Sequence, residues 1–289
     1  MDKLGLGESA PASRDVAQRI TLQVWRDQII LFIEQVLQGG PVFLAGNSLG
    51  GLLCASVSSV RKDLIRGAIL LSPAPFWVMV PPTTPALLRS ALRALVRSSW
   101  GRLTNVNVLR QTLALVYARP ENIPARTVED ILRPTRNEHA QHVFETILTS
   151  PGLEHGFEES IDMAFGNGDI PLAIIYGRQD PWVVPMFGLR IKALVRSCAF
   201  YELTPCGHCP HAEVPEAVNR VIIDWLSAVT RGTYAPSVST ETALGPSMVG
   251  DVSIYSRDHT PLNLLEQFAL AQNYAVVFLA AYISTFIES

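Results

Sequence analysis

The chain has 289 residues, room for one large α/β domain or one domain with an appendage, and its 48% hydrophobic and 17% charged content suits a buried core rather than a disordered chain. Its net charge of −3 advertises no basic surface, so nucleic acid is not an expected partner. Four cysteines (Cys54, Cys198, Cys206, Cys209) are too few for a disulfide scaffold.

The opening Met1–Glu8 has neither the apolar core of a secretory signal nor the Arg-rich, acid-poor character of a transit peptide. Thr21–Leu37 carries Val24, Ile29, Phe32, Ile33, Val36 and Leu37 at helical spacing, which predicts a helix ended by Gly39-Gly40. A short strand, Val42–Ala45, leads through a sharp turn into an apolar helix to about Val60. Gly67–Leu71 is a continuous apolar run, the pattern of a buried parallel strand. From Pro73 to about Asp169 the character changes. Helical stretches at about Ala86–Val96, Val106–Ala118, Thr127–Leu132 and Glu138–Leu148 are broken by prolines, and no strand run interrupts them. That block is far longer than a crossover between parallel strands needs, so it predicts an inserted helical cap.

The sheet then resumes with strand Leu172–Tyr176, helix Phe187–Val195, strand Ala199–Leu203 and a last amphipathic helix, Pro215–Val229. Thr233–Val252 is rich in Ser, Thr, Pro and Gly and reads as a linker. Leu262–Ile287 is apolar, and its dense run Tyr274–Ile283 is too short to span a bilayer. It is expected to be a helix docked on the body or on a partner, with a weak membrane-surface contact as the alternative. The predicted organisation is an α/β fold with a mainly parallel sheet. Its parts are core residues 1–72, a cap over 73–169, core residues 170–232, a linker over 233–261 and an apolar helix over 262–289.

Gly46-Asn-Ser48-Leu49-Gly50 is G-x-S-x-G between a strand and a helix, the setting in which that motif presents a nucleophilic serine. Gly46 and Gly50 are expected to let strand and helix approach closely, and the Leu49 N–H to face an oxyanion. A serine nucleophile needs a base, and the base needs an acid that fixes its tautomer. Asp180 lies just past strand Leu172–Tyr176 and His208 just past strand Ala199–Leu203, in the chain order Ser, Asp, His. His211 competes with His208, which is preferred because Gly207 precedes it and it lies nearer the strand. His139, His142, His155 and His259 fall in the cap or tail. Cys206-Gly-His-Cys209 has C-x-x-C spacing, but it follows the last strand between two prolines, unlike a redox motif at a helix start. With His208 and His211 it crowds four ligands into six residues, a poor tetrahedral zinc site. No metal or cofactor is expected.

Trp25-Arg-Asp-Gln28, Ala45-Gly-Asn-Ser-Leu-Gly-Gly51, Pro75-Phe-Trp77, Tyr176-Gly-Arg-Gln-Asp-Pro-Trp182 and Gly207-His-Cys-Pro-His-Ala-Glu-Val-Pro-Glu216 together resemble the pheophytinase family, plastid α/β-hydrolases of chlorophyll breakdown. The likeness runs from about Met1 to Leu226. It implies an α/β-hydrolase fold in the chloroplast that cleaves the phytyl ester of pheophytin to pheophorbide and phytol without a cofactor. It also implies catalytic roles for Ser48, Asp180 and His208, and a lipophilic pocket to which Phe76, Trp77 and Trp182 contribute walls.

The opening segment resembles the loop after the fourth strand of such hydrolases, and no HG- or PGF-like oxyanion segment is present. The chain is therefore expected to be an N-terminally truncated piece or incomplete gene model, with Val42–Ala45 exposed as a sheet edge. Alternatives are another esterase, a C–C hydrolase or an acyltransferase on the same fold, or an inactive fragment that acts only by binding a partner.

Overall fold

The computed structural model describes residues 2–74, 84–149, 152–234 and 246–257. Among these, six strands form one sheet in the order β1-β2-β3-β4-β6-β5. They are β1 (Val42–Asn47), β2 (Ile65–Leu71), β3 (Leu172–Gly177), β4 (Ala199–Thr204), β5 (Ser247–Val249) and β6 (Val252–Ser256). The first four run parallel, and β6 and β5 close that end antiparallel. As expected, β1 is the outermost strand at the other end.

The helices are α1 (Arg14–Arg19), α2 (Leu22–Gln35), α3 (Leu49–Val60), α4 (Ala86–Leu103), α5 (Val106–Val116), α6 (Ala125–Leu132), α7 (Ala140–Thr149), α8 (Phe157–Phe165), α9 (Met186–Leu194), α10 (Pro210–Glu213) and α11 (Pro215–Thr230). Strand β2 explains why its run is apolar throughout. Ala68 and Leu70 face a core built with α2, α3, α8 and α9, while Ile69 and Leu71 face a second core built with α11. A strand covered on both faces has no polar alternation to show.

Three expectations change. The buried stripe of α2 is Leu22, Trp25 and Ile33 with Ile29 packed beside them, whereas Val24, Val36 and Leu37 are exposed. The residues assigned to the cap include α8, whose Phe157, Ile161, Ala164 and Phe165 join α3 in the core under the sheet. The residues assigned to the linker include β5 and β6. Val252 and Ile254 are buried against the α11 core, and β6 pairs with β4 from Tyr201↔Ser256 to Thr204↔Ser253.

Between β2 and α8 lie α4 to α7. Helix α4 buries no residue. It is tied to α7 by polar contacts: Arg97 makes two bonds to Glu145, at 3.1 and 2.8 Å, and Arg93 reaches Thr149 at 2.8 Å. Leu113, Val116 and Tyr117 at the end of α5 and Val128 and Leu132 of α6 form a separate small core, with Cys209 packed against it. Among the described residues no helix is long and apolar enough to cross a membrane. The apolar segment 262–289 lies outside the described residues, as do Pro75, Phe76 and Trp77.

Candidate active site

Three loops meet at the carboxyl ends of β1, β3 and β4. The first is the turn between β1 and α3. Ser48 sits there with φ 53° and ψ −117°, a backbone conformation that L-residues rarely adopt. Its N–H donates to Leu71 O at 2.9 Å, and its carbonyl accepts from Gly51, Leu52 and Ala74 N–H at 2.9, 3.2 and 3.0 Å. The turn is thus fixed by β2 and by the chain that leaves it.

Gly46 is required in this turn: a Cβ there would stand 2.4 Å from the Gly50 carbonyl atoms. In the same elbow Gly51 is also tightly enclosed: a Cβ there would meet Pro73 Cβ at 2.7 Å. Gly50, expected to be sterically essential, has open space where its Cβ would go; what Gly46 needs is the closeness of the Gly50 backbone. Leu49 opens α3, so its N–H precedes the helical hydrogen-bond ladder and lies at the positive end of the helix dipole.

The second loop follows β3. Asp180 is fully buried, and its Oδ1 accepts from the backbone N–H of Trp182 and Val183, each at 2.9 Å. Its Oδ2 lies 2.8 Å from His208 Nδ1. The third loop follows β4 and carries His208, buried at 4% exposure. With Asp180 ionised, Nδ1–H donates to the carboxylate, and Nε2 is left as the basic nitrogen. The Trp182 ring lies against the imidazole, with centroids 5.3 Å apart and planes inclined by 58°. The two loops touch so closely that a Cβ at Gly177 would stand 2.1 Å from Gly207 O. His211 is exposed, and among the described residues no carboxylate bond holds it as Asp180 holds His208.

Two residues that sequence reasoning passed over tie the loops together. Asn47, next to Ser48, donates through Nδ2 to Leu71 O at 3.1 Å and to His208 O at 3.0 Å. Glu213 accepts Gly207 and Ala118 N–H on one oxygen at 2.9 and 2.8 Å, and Cys209 N–H on the other at 3.1 Å. Both lie inside motifs already noted, and the signal was there: a polar side chain beside an obligatory turn has backbone groups to satisfy.

Of the remaining predicted residues, Trp182 lies at the site and is 38% exposed. Phe76 and Trp77 fall outside the described residues. All four cysteines are free thiols. Burial, then the Glu213 and Asp180 carboxylates, push the Cys209 thiol up to about 12, and the same causes raise Cys206. Among the described residues no group of three or more His, Cys, Asp or Glu is arranged to hold a metal ion.

The sequence pattern of the alpha/beta hydrolase family matches residues 1–221. The chain is 31% identical over 227 residues to the chloroplastic pheophytinase of Arabidopsis thaliana, a match covering 74% of this chain and 46% of that one. It is 26% identical over 194 residues to the 2-hydroxy-6-oxononadienedioate/2-hydroxy-6-oxononatrienedioate hydrolase of Paraburkholderia xenovorans, covering 64% of this chain and 62% of that one. The chain therefore spans less than two thirds of the length of either relative. Among solved structures, a thermophilic esterase from Thermogutta terrifontis superposes with a TM-score of 0.58 at 19% identity, covering 79% of this chain and 78% of that one. That likeness concerns the fold.

Proposed function

This chain belongs to the alpha/beta hydrolase family, and on that premise we propose that it is a serine carboxylic ester hydrolase with Ser48 as nucleophile, His208 as base and Asp180 as the acid that orients it. The observation that carries the reading is the 2.8 Å bond between buried His208 and buried Asp180, with the His208 loop bonded to Asn47 beside Ser48. In the proposed reaction Ser48 Oγ attacks the ester carbonyl and passes its proton to His208 Nε2. The imidazolium, stabilised by Asp180, returns that proton to the leaving alcohol oxygen. A water deprotonated by His208 then attacks the acyl-serine, and collapse releases the carboxylic acid as the imidazolium returns the proton to Ser48 Oγ. The Leu49 N–H stabilises the oxyanion at each tetrahedral stage, a donor of the kind worth about 3 kcal/mol.

We further propose the phytyl ester of pheophytin as substrate, cleaved to pheophorbide and phytol, with the chloroplast as the site of action. The similarity to the pheophytinase supports this, and Trp182 beside His208 offers one apolar wall. Incubation with pheophytin and chromatography of the pigments tests the substrate; labelling by a fluorophosphonate probe tests the nucleophile. Hydrolysis that survives Ser48→Ala would falsify the nucleophile. A chain that is labelled at Ser48 but leaves pheophytin intact would retain the hydrolase reading and lose the substrate. A chain that neither labels nor hydrolyses would point to a binding role.

A second reading rests on the similarity to the dienedioate hydrolase. The same residues would then act on a 2-hydroxy-6-oxo diene acid. Loss of that compound's conjugated absorbance, with pheophytin untouched, is the outcome that favours it.

A further inference from the structure

Glu213 has no place in the reaction just described, yet its carboxylate collects three backbone N–H groups. Two of them, Gly207 and Cys209, flank His208. The third, Ala118, belongs to the chain leaving α5, 95 residues away in sequence. The same segment returns a bond of its own, because Val116 O accepts the N–H of His208 at 2.8 Å. Residues 116–118 therefore hold the histidine loop in both directions, once directly and once through Glu213. Gly207 makes the approach possible: a Cβ there would stand 2.2 Å from Val116 O.

From this arrangement we infer that Glu213 is a positioning residue that staples the end of α5 to the His208 loop, so that helices outside the sheet set the placement of the base. The inference rests on the reading of His208 as base. A carboxylate suits the task because it only accepts, and its two oxygens have capacity for all three donors. Charge-assisted bonds to backbone N–H are also stronger than neutral ones. Gln keeps one oxygen, able to serve Gly207 and Ala118, but turns an NH₂ group toward the Cys209 N–H. Ala leaves all three donors without their acceptor.

The test uses Glu213→Ala and Glu213→Gln in the full chain. For Glu213→Ala, kcat is expected to fall about a hundredfold with KM unchanged, the loss that a displaced catalytic group produces. The rate of fluorophosphonate labelling is expected to fall in parallel, and Glu213→Gln to recover much of both. Amide hydrogen exchange is expected to accelerate together at Ala118, Gly207 and Cys209. If Glu213→Ala does not fold, Glu213→Gln is read in its place, with exchange accelerated chiefly at Cys209. A folded Glu213→Ala with wild-type kcat, or with unchanged exchange at the three amides, overturns the inference. If the wild-type chain neither labels nor hydrolyses, the catalytic reading has failed, and the exchange measurement still decides the staple.

Discussion

The side-chain amide of Asn47 donates to the carbonyl of His208 at 3.0 Å, joining the residue before the proposed nucleophile to the proposed base. The same nitrogen donates to Leu71 O at 3.1 Å. Asn47→Ala removes both bonds, at about 1 kcal/mol each, and leaves His208 O short of a donor, while Leu71 O keeps the Ser48 N–H. The expected result is a loss of about 2 kcal/mol in urea denaturation and a fall of about tenfold in kcat, the two loops being no longer locked in register. Unchanged stability and turnover would show the bond to be incidental.

The glycines of the elbow separate by what surrounds them. Gly46→Ala drives a methyl into the Gly50 backbone at 2.4 Å, where no side chain can yield. It should cost about 3 kcal/mol or more and abolish probe labelling. Gly50→Ala enters open space on a helix, and its thermal stability should stay within about 1 kcal/mol of the wild type. Equal damage from the two changes would contradict the packing described.

Asp180→Asn keeps an oxygen that can accept from Trp182 and Val183 N–H, so the loop should hold. What changes is the partner of His208 Nδ1, and with it the tautomer. A fall in kcat of about a thousandfold or more is expected with the melting temperature little altered. His211→Ala, a change at an exposed residue, should leave kcat near the wild-type value. The reverse pattern would move the base from His208 to His211.

The thiol of Cys209, pushed up to about 12 by burial and then by Glu213 and Asp180, is almost wholly protonated at pH 8. Because its charged form is disfavoured, alkylation by iodoacetamide should be slow at pH 8. The rate should keep rising with pH past the ordinary cysteine range, with no plateau near about 8.5. Cys209→Ser should retain hydrolysis. Rapid alkylation at pH 7, or loss of turnover in the serine variant, would return the C-x-x-C motif to consideration.

The strands that carry the site were legible because β2, β3 and β4 are buried and their apolar runs are unbroken by polar alternation. The elbow was legible because its strain needs glycine nearby, and the proposed acid and base could be picked out because each follows a strand end. Less could be read where long-range contact decides. Helix α8 was counted with the cap because nothing in Phe157–Phe165 says which helix will cover it; contact with α3 does. Strand β6 was hidden in Ser- and Thr-rich surroundings, although Val252-Ser-Ile254-Tyr carries the alternation of a half-buried strand. Glu213 reaches the distant Ala118 N–H and Asn47 the distant His208 carbonyl, and only the folded chain reveals those partners.

The left-handed φ of Ser48 sets folding and chemistry against each other at a single residue. Glycine adopts that conformation at little cost, and relief of such strain is worth about 1–3 kcal/mol. Ser48→Gly is therefore expected to give a sturdier protein that lacks the proposed nucleophile. On the proposed reading the hydroxyl is what a glycine could not replace, so the backbone angle at this position weighs reactivity against durability.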